Sequence, residues 1–275
     1  MRVPTLRTLS FFNNYNIIMN KFGFTILCFL FAFPLFAQDV PKVIAHRGYW
    51  QTYGSAQNSI RSFERAAEVG AYGSEFDVHM TSDSVLILFH DNTVNGMKIQ
   101  ETPYSYLKDI KLSNGECIPT LREFLEVARL TKSDIKLIFE LKPHATPELN
   151  REAARRSVEM IREKKLVNVT EYITFNLDAG KELIRLAPEN PVYYLNGDLS
   201  PKDVKELGFA GIDYRLEVMQ KNPEWFKEAK KLGLGVNVWT VNDSDAIKEM
   251  IIQGADFITT DNPSEALVII KNLSK

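Results

Sequence analysis

From residue 43 onwards, short apolar runs alternate with longer amphipathic stretches. The runs are nearly continuous in apolar side chains, as in parallel strands that are buried on both faces. The stretches between them repeat apolar residues at the three- and four-residue spacing of one helix face. The predicted strands are Val43–His46, Ser74–Val78, Lys136–Leu141, Tyr172–Phe175, Val192–Leu195, Gly211–Tyr214, Gly235–Val241 and Asp256–Thr259.

Six helices are predicted between these strands. Ser200-Pro201 and Asn222-Pro223 each place a capping residue before a proline at the first helical position. The helices are Ser59–Val69, Pro147–Lys165, Ala179–Leu186, Pro201–Leu207, Pro223–Leu232 and Asp243–Gln253. Eight strands with helical crossovers favour an α/β fold, the (β/α)₈ TIM barrel. A doubly wound open sheet is the alternative, but no Gly-x-Gly-x-x-Gly motif follows the first strand.

One segment breaks the alternation of strand and helix. Val85–His90 is a further apolar run, and only six residues separate it from the second strand. A parallel crossover needs a dozen residues or more. We therefore predict an antiparallel β-hairpin that turns at 81–84 and brings His90 back beside Glu75.

The hairpin is followed by a segment without clear periodicity. Residues 92–118 are predicted to form an irregular excursion over the barrel mouth. A helix over Leu121–Leu130 should follow, because Thr120 and Glu123 have the spacing of a capping box.

The N-terminal 37 residues have the pattern of a signal peptide. Lys21 precedes an uncharged apolar stretch, and Ala37 provides a small residue for cleavage. The stretch is too short and poorly flanked for a membrane-spanning helix, and it has no polar stripe for a buried amphipathic one. We expect residues 1–37 to be the signal peptide, with 1–18 an upstream extension if translation begins at Met19. Residues 38–275 would form one exported domain, periplasmic or extracellular, without a stable membrane span.

The charge of that domain argues against nucleic acid as a partner. Residues 1–37 contain three basic residues and no acid, so their removal leaves 30 basic and 35 acidic residues and a formal charge of −5. The domain has no basic stripe. It keeps one cysteine, Cys117, which excludes an internal disulfide. A phosphate ligand, if bound, would therefore belong to a small molecule, and the oligomeric state stays open.

Seven side chains suited to binding a metal, a phosphate or a proton lie at the ends of the first predicted strands and of the hairpin. They are His46, Arg47, Glu75, Asp77, His90, Glu140 and Lys142. The carboxyl ends of the strands form the rim on which TIM-barrel active sites are built. Three carboxylates on one face repel one another unless a cation is bound, and oxygen ligands suit Ca²⁺ or Mg²⁺. Histidine suits proton transfer, and arginine and lysine suit phosphate. The set predicts metal-assisted phosphoryl chemistry.

Each of these residues alone has an ordinary explanation as a solvated rim group or a structural histidine. We interpret the other two histidines, His79 and His144, as structural. Tyr49, Trp50, Tyr53, Phe175 and Trp239 lie near the same rim and could pack against a substrate. Trp239 is the strongest of these candidates because it lies near the end of a strand.

Further motifs accompany the seven residues along the chain. In order, they are His46-Arg47-Gly48, Gln57-Asn58-Ser59, Glu75-Phe76-Asp77-Val78, His90-Asp91, Pro119-Thr120-Leu121, Glu140-Leu141-Lys142, Trp239-Thr240-Val241-Asn242 and Thr260-Asp261-Asn262-Pro263. In this order, over Val43 to Ala266, the chain resembles the glycerophosphodiester phosphodiesterases. The resemblance implies a TIM barrel with one divalent cation, Ca²⁺ or Mg²⁺. It also implies hydrolysis of glycerophosphodiesters to glycerol 3-phosphate and an alcohol.

The resemblance also implies a role for each site residue. The metal ligands would be Glu75, Asp77 and Glu140, the acid–base pair His46 and His90, and the phosphate or substrate contacts Arg47, Lys142 and Trp239. As a mechanism, we hypothesise that His46 takes the proton of a glycerol hydroxyl as it attacks phosphorus. His90 would protonate the departing alcohol, and a cyclic phosphate would then be opened by water.

Two departures from the family pattern leave the head group open. Gln57-Asn58-Ser59 stands where the family usually has Glu-Asn-Thr, so one carboxylate is missing. Asn92–Met97 stands where the family usually has an Arg-Thr-Thr-like motif and a longer insertion. Phospholipase-type head-group cleavage on the same barrel is one rival, and an apolar surface around 92–118 would favour it. A non-catalytic binding barrel is the other rival, but it would predict the loss of a ligand or a histidine, and none is lost.

Overall fold

The computed structural model describes residues 40–273 and contains eleven strands within them. They are β1 (Lys42–Ala45), β2 (Gly73–Met80), β3 (Leu86–Leu88), β4 (Thr93–Val94), β5 (Met97–Lys98), β6 (Lys136–Leu141), β7 (Thr170–Thr174), β8 (Val192–Tyr194), β9 (Gly211–Arg215), β10 (Gly235–Trp239) and β11 (Phe257–Thr260). Eight of them are parallel and form a barrel, which closes because β1 pairs with both β2 and β11, and β3 extends the same sheet as an antiparallel strand on β2. The predicted (β/α)₈ barrel is confirmed. The predicted signal peptide lies outside the described residues.

The described residues contain ten helices, and all except one, which lies in the excursion at 92–118, cover the outside of this barrel. They are α1 (Ile60–Glu68), α2 (Tyr104–Leu107), α3 (Leu121–Leu130), α4 (Pro147–Glu163), α5 (Leu177–Leu186), α6 (Pro201–Glu206), α7 (Leu216–Lys221), α8 (Glu224–Leu232), α9 (Ser244–Gln253) and α10 (Pro263–Leu273). Within residues 40–273, none of them combines the length and the apolar character that crossing a bilayer requires.

The helix boundaries correct the sequence prediction at two places. Helices α7 and α10 were not predicted. Asn222 does not cap α8 as predicted, because it ends α7, where its Nδ2 donates to Val218 O at 2.8 Å. The predicted start of α6 is confirmed, since Ser200 caps it together with Asp203 in a capping box.

The predicted hairpin after the second barrel strand is present. β2 runs past the barrel to Met80 and pairs antiparallel with β3, with Val78 opposite Leu88. The turn closes where Thr81 N–H donates to Val85 O at 2.9 Å, and Ser84 has a φ of 65°. This geometry explains why the run at 85–90 has no helical crossover before it.

The excursion at 92–118 is more ordered than predicted. β4 and β5 form a short hairpin, and α2 follows a single 3₁₀ turn. Its apolar side chains pack with β3 in a separate small core, Ile87, Val94, Ile99, Leu107 and Ile118. The segment ends at the predicted capping box of α3, where Glu123 N–H donates to Thr120 Oγ1 at 3.2 Å.

The two faces of the barrel strands have different environments. Outward-facing side chains form the main core with the helices. Inward-facing Ile44, Ile138, Ile173 and Leu195 form an apolar layer inside the barrel. Polar side chains replace this layer towards the carboxyl ends of the strands.

Candidate active site

A pocket opens at the carboxyl ends of the barrel strands. Its lining residues are His46, Arg47, Glu75, His90, Glu140, Lys142, Ile173, Phe175, Leu195, Asp213, Trp239 and Thr259. Seven of the eight site residues predicted from the sequence line it. The eighth, Asp77, is 1% exposed and lies within ion-pair distance of Lys142.

Three buried carboxylates form a cluster in this pocket. Glu75, Asp77 and Glu140 each offer an oxygen, and these atoms all lie within 4.8 Å of one another. The strand register places Asp77 directly beside Glu140 on the neighbouring strand, and Glu75 follows on the same face of β2. Glu75 Oε1 has no hydrogen-bond partner.

The pKa values of the three carboxylates differ. Burial, and then the charges of Asp77 and Glu140, raise the pKa of Glu75 well above its usual range. Burial and the charge of Asp77 raise the pKa of Glu140 to about 7. Burial acts in the same direction on Asp77, but Lys142, His90 and the Asn58 amide together hold its pKa at about 2. Three neighbouring carboxylates that resist full ionisation are a donor set that fits one divalent cation.

Lys142 is the cation closest to the acidic cluster. Its Nζ lies 2.6 Å from Asp77 Oδ1 and 2.7 Å from Glu140 Oε1. Lys142 therefore neutralises part of the negative charge of the cluster. Although burial opposes its charge, the two carboxylates raise the pKa of Lys142, which therefore stays protonated.

Arg47 is held over the cluster by its backbone and by Gln57. Its φ of 55° is in the left-handed region, and its N–H donates to Glu75 Oε2 at 2.7 Å. Its Nη1 donates to Gln57 Oε1 at 2.8 Å. Gln57 is neutral, so it accepts from the arginine without adding a negative charge.

Asn58 is a site residue for which sequence reasoning gave no role. Its Nδ2 donates to Asp77 Oδ2 at 2.8 Å, and its Oδ1 accepts from the N–H of Asp77 at 3.0 Å. Its φ of 59° is a conformation in which asparagine is enriched. The two hydrogen bonds orient Asp77 so that its other oxygen faces Lys142.

His46 is positioned by Asp261, a second residue without a predicted role. His46 Nδ1 lies 2.8 Å from Asp261 Oδ1, which also accepts from Trp50 Nε1 at 3.0 Å. Asn242 Nδ2 donates to the other oxygen at 2.7 Å. Against the effect of burial, these partners hold the pKa of Asp261 at about 2. The anionic carboxylate favours the His46 tautomer with its proton on Nδ1, which leaves Nε2 as the nitrogen that can accept a proton.

His90 lies near Asp77. The hairpin pairing ends where Phe89 N–H donates to Asp77 O at 3.1 Å. This returns His90 to the pocket that Glu75 also lines, as predicted. Burial lowers the pKa of His90, although the negative charge of Asp77 acts to raise it. The Nδ1 of His90 lies 2.7 Å from Asp91 Oδ1.

The other two histidines are outside the pocket lining. His79 is fully buried, and its ring nitrogens lie 3.1 Å from Gln100 Nε2 and 3.4 Å from His90 O. Burial lowers the pKa of His79 to about 4, so it is neutral. His144 Nε2 accepts from the N–H of Met80 at 3.1 Å. Both rings therefore support the backbone of the hairpin strand or of the segment after it.

Trp239 forms an apolar wall opposite the charged residues. It packs edge-to-face on Phe175 with ring centroids 5.7 Å apart, and the Arg215 guanidinium lies 5.2 Å from its ring. Its Nε1 donates to Asp213 O at 2.9 Å. Tyr53, by contrast, is 97% exposed and does not line the pocket.

Asp213 is a pocket residue that sequence reasoning missed. It is 1% exposed, and its Oδ1 has no hydrogen-bond partner. Burial raises its pKa to about 8, although the Asn237 amide acts to lower it. The carboxyl is thus mainly protonated at neutral pH. It escaped notice because a single acid inside a strand, without a partner two residues away, carries no pattern.

Comparisons with known proteins agree with this geometry. The model of the glycerophosphoryl diester phosphodiesterase family matches residues 46–265. A glycerophosphodiester phosphodiesterase from Caldanaerobacter subterraneus subsp. tengcongensis is 28% identical over 252 residues, covering 83% of this chain and 97% of the relative. The crystal structure of a glycerophosphodiester phosphodiesterase from Parabacteroides distasonis has 57% identity and a TM-score of 0.85, covering 86% of this chain and 100% of that chain. A phosphodiesterase from Oleispira antarctica, in complex with the product sn-glycerol-3-phosphate, has 27% identity and a TM-score of 0.71, covering 84% of this chain and 97% of that chain.

Proposed function

The chain belongs to the glycerophosphoryl diester phosphodiesterase family and is an enzyme of that family. We therefore propose that it hydrolyses glycerophosphodiesters to glycerol 3-phosphate and an alcohol, and that the reaction depends on a metal ion. The observation that carries the proposal is the buried cluster of Glu75, Asp77 and Glu140 in one pocket with two histidines. The product bound to the Oleispira antarctica relative supports the substrate class.

The acidic cluster would hold one divalent cation, Ca²⁺ or Mg²⁺. Both are hard cations that bind carboxylate oxygens, and each cluster residue offers one such oxygen within 4.8 Å of the others. A bound cation would polarise a phosphate oxygen and lower the pKa of a nearby hydroxyl. Arg47 and Lys142, on either side of the cluster, would bind the non-bridging phosphate oxygens and offset the charge that develops in the transition state.

The two histidines would move the protons. His46 Nε2 would take the proton of the glycerol hydroxyl that attacks phosphorus, which yields a cyclic phosphate. His90 would give a proton to the oxygen of the departing alcohol, and the roles would reverse when water opens the ring. The lowered pKa of His90 makes it a readier proton donor once it is charged.

Asp261 would act through His46 as a positioning residue. Asp261→Asn is expected to lower kcat about 10- to 100-fold, with KM changed by less than about threefold, because Asp261 holds the ring without lining the substrate pocket. Steady-state kinetics on glycerophosphocholine measures both constants. Asp261→Glu keeps the carboxylate and should recover part of the kcat. A rise in KM with unchanged kcat would contradict the role.

An assay of three diesters tests the proposed function. Glycerophosphocholine, glycerophosphoethanolamine and glycerophosphoinositol are each incubated with the protein, and the released glycerol 3-phosphate is measured by an NAD-linked dehydrogenase. We expect release from at least one of them. Cleavage of phospholipids with none of the three diesters hydrolysed would favour the phospholipase-type rival.

The surface of residues 92–118 does not support phospholipase-type cleavage. Its apolar side chains are turned into the small core with β3. Between residues 92 and 118, Tyr106 is its exposed large apolar side chain, at 69%. A lipid-binding surface needs a contiguous apolar patch rather than one ring.

We further propose that the enzyme is exported to the periplasm or the cell exterior. The support is the basic, apolar and small-residue pattern of residues 19–37. Sequencing the N-terminus of the protein recovered from the host should locate cleavage near Ala37, and an intact N-terminus would contradict export.

A further inference from the structure

The pocket has one polar residue that the proposed reaction does not use. The acidic cluster, Arg47, Lys142 and the two histidines account for its charged side. Most of the remaining lining is apolar, and of its polar members Thr259 is paired with Asn237, at 2.9 Å from Asn237 Nδ2. That leaves Asp213, whose Oδ1 has no partner although the side chain is buried. A buried carboxyl oxygen without a partner is costly, so its retention calls for a use.

The position of Asp213 relates it to the acidic cluster. The strand order around the barrel is β1, β2, β6, β7, β8, β9, β10 and β11. β9, which carries Asp213, is four strands from β2 in either direction, so it lies directly across the barrel from Glu75 and Asp77. A ligand whose phosphate is bound on the β2 side would extend its far end towards Asp213.

The surroundings of Asp213 suit a hydroxyl on a short carbon chain. Phe175, Leu195 and Trp239 supply apolar contact beside it. Its raised pKa leaves the carboxyl mainly neutral, so it can accept a hydrogen bond and donate one, as a hydroxyl does. A neutral carboxyl is a poor partner for a cationic head group.

We propose that Asp213 binds the terminal hydroxyl of the glycerol moiety, the hydroxyl that does not attack phosphorus. This inference rests on the proposed function, and it makes Asp213 a specificity-determining residue. It selects diesters that carry a free glycerol end over diesters in which that hydroxyl is absent or acylated. The departing alcohol would leave on the other side of the phosphate, without contact to Asp213.

Two substrates test the proposal. One is glycerophosphocholine, and the other is the phosphocholine diester of propane-1,2-diol, which keeps the attacking hydroxyl and replaces the terminal one by hydrogen. We expect the wild-type enzyme to prefer glycerophosphocholine by about 10- to 100-fold in kcat/KM. Asp213→Ala should lower kcat/KM on glycerophosphocholine to the value that the wild-type enzyme has on the propane-1,2-diol analogue. The same substitution should change kcat/KM on the analogue by less than about threefold. Asp213→Asn should recover part of the preference.

The control is a second buried acid inside the barrel. Glu171 on β7 is hydrogen-bonded to Tyr72 and does not line the active-site pocket. Glu171→Gln should leave the preference unchanged. Asp213→Val takes the place of the alanine variant if thermal unfolding shows that the latter is not folded.

The outcomes separate this inference from the proposed function. An equal loss on both substrates in the Asp213 variants, or a wild-type enzyme without preference, would overturn the role of Asp213. A wild-type enzyme that hydrolyses neither substrate, nor the other glycerophosphodiesters, would instead refute the proposed function.

Discussion

The His46→Ala and His90→Ala variants are each expected to lose about 10²- to 10⁴-fold in kcat on glycerophosphocholine, because each removes a positioned proton acceptor or donor. Both side chains line the pocket and neither contributes to the main core, so the fold should persist. Steady-state kinetics gives the loss, and circular dichroism with thermal unfolding checks the fold.

A second substrate distinguishes the roles of the two histidines. The glycerol phosphodiester of p-nitrophenol releases a stable anion that needs no proton. If His90 protonates the departing alcohol, His90→Ala should recover most of its activity on this substrate. His46→Ala should stay inactive, since the attacking hydroxyl must still lose its proton. The reverse pattern would exchange the two assignments, and a fully active His90→Ala variant on glycerophosphocholine would contradict the acid–base model.

Removal of the divalent cation is expected to abolish hydrolysis. The cation would supply several kcal/mol of transition-state stabilisation, so EDTA should lower the rate by about 10³-fold or more. Dialysis into Ca²⁺ or Mg²⁺ should restore it, and the ion that restores it at the lower concentration identifies the preferred metal. Full activity in chelator would remove the metal from the model.

The same site should respond to metal without substrate. A cation that binds the folded chain alone stabilises it by about 2.7 kcal/mol at a concentration of 100 Kd, which raises Tm. Glu140→Gln removes one ligand charge and should reduce that rise, whereas Glu171→Gln, a buried acid outside the cluster, should keep it. An unchanged rise in the Glu140 variant would show that the cation binds elsewhere.

The barrel and most of the pocket could be predicted from the sequence because they follow from local rules. Strand periodicity places Glu75 and Asp77 on one face, and the short link after Val78 rules out a crossover. Closure of a parallel barrel then places strand ends from distant parts of the chain on one rim. These constraints are geometric and need no knowledge of the side-chain environment.

The residues that were missed depend on contacts made only after closure. Asp261 meets His46 because Thr260 on β11 pairs with Ala45 on β1, across 215 residues of sequence between the two side chains. Asn58 bonds Asp77 only in a left-handed backbone conformation. Asp213 is recognisable from its missing partner, and a sequence does not record hydrogen bonds that are not made.

The small core beneath the excursion has a consequence for how this enzyme could be altered. Because the segment at 92–118 packs on β3 through its own apolar set, it behaves as a cassette, and hydrogen bonds from Gln100 to Pro143 O and from the N–H of Ile60 to Glu116 tie it to the barrel. Exchanging it for the corresponding segment of another family member, with Ile87, Gln100, Glu116 and Ile118 retained as anchors, would change the surface beside the pocket and leave the acidic cluster in the barrel strands unchanged. Natural divergence in substrate range could follow the same route.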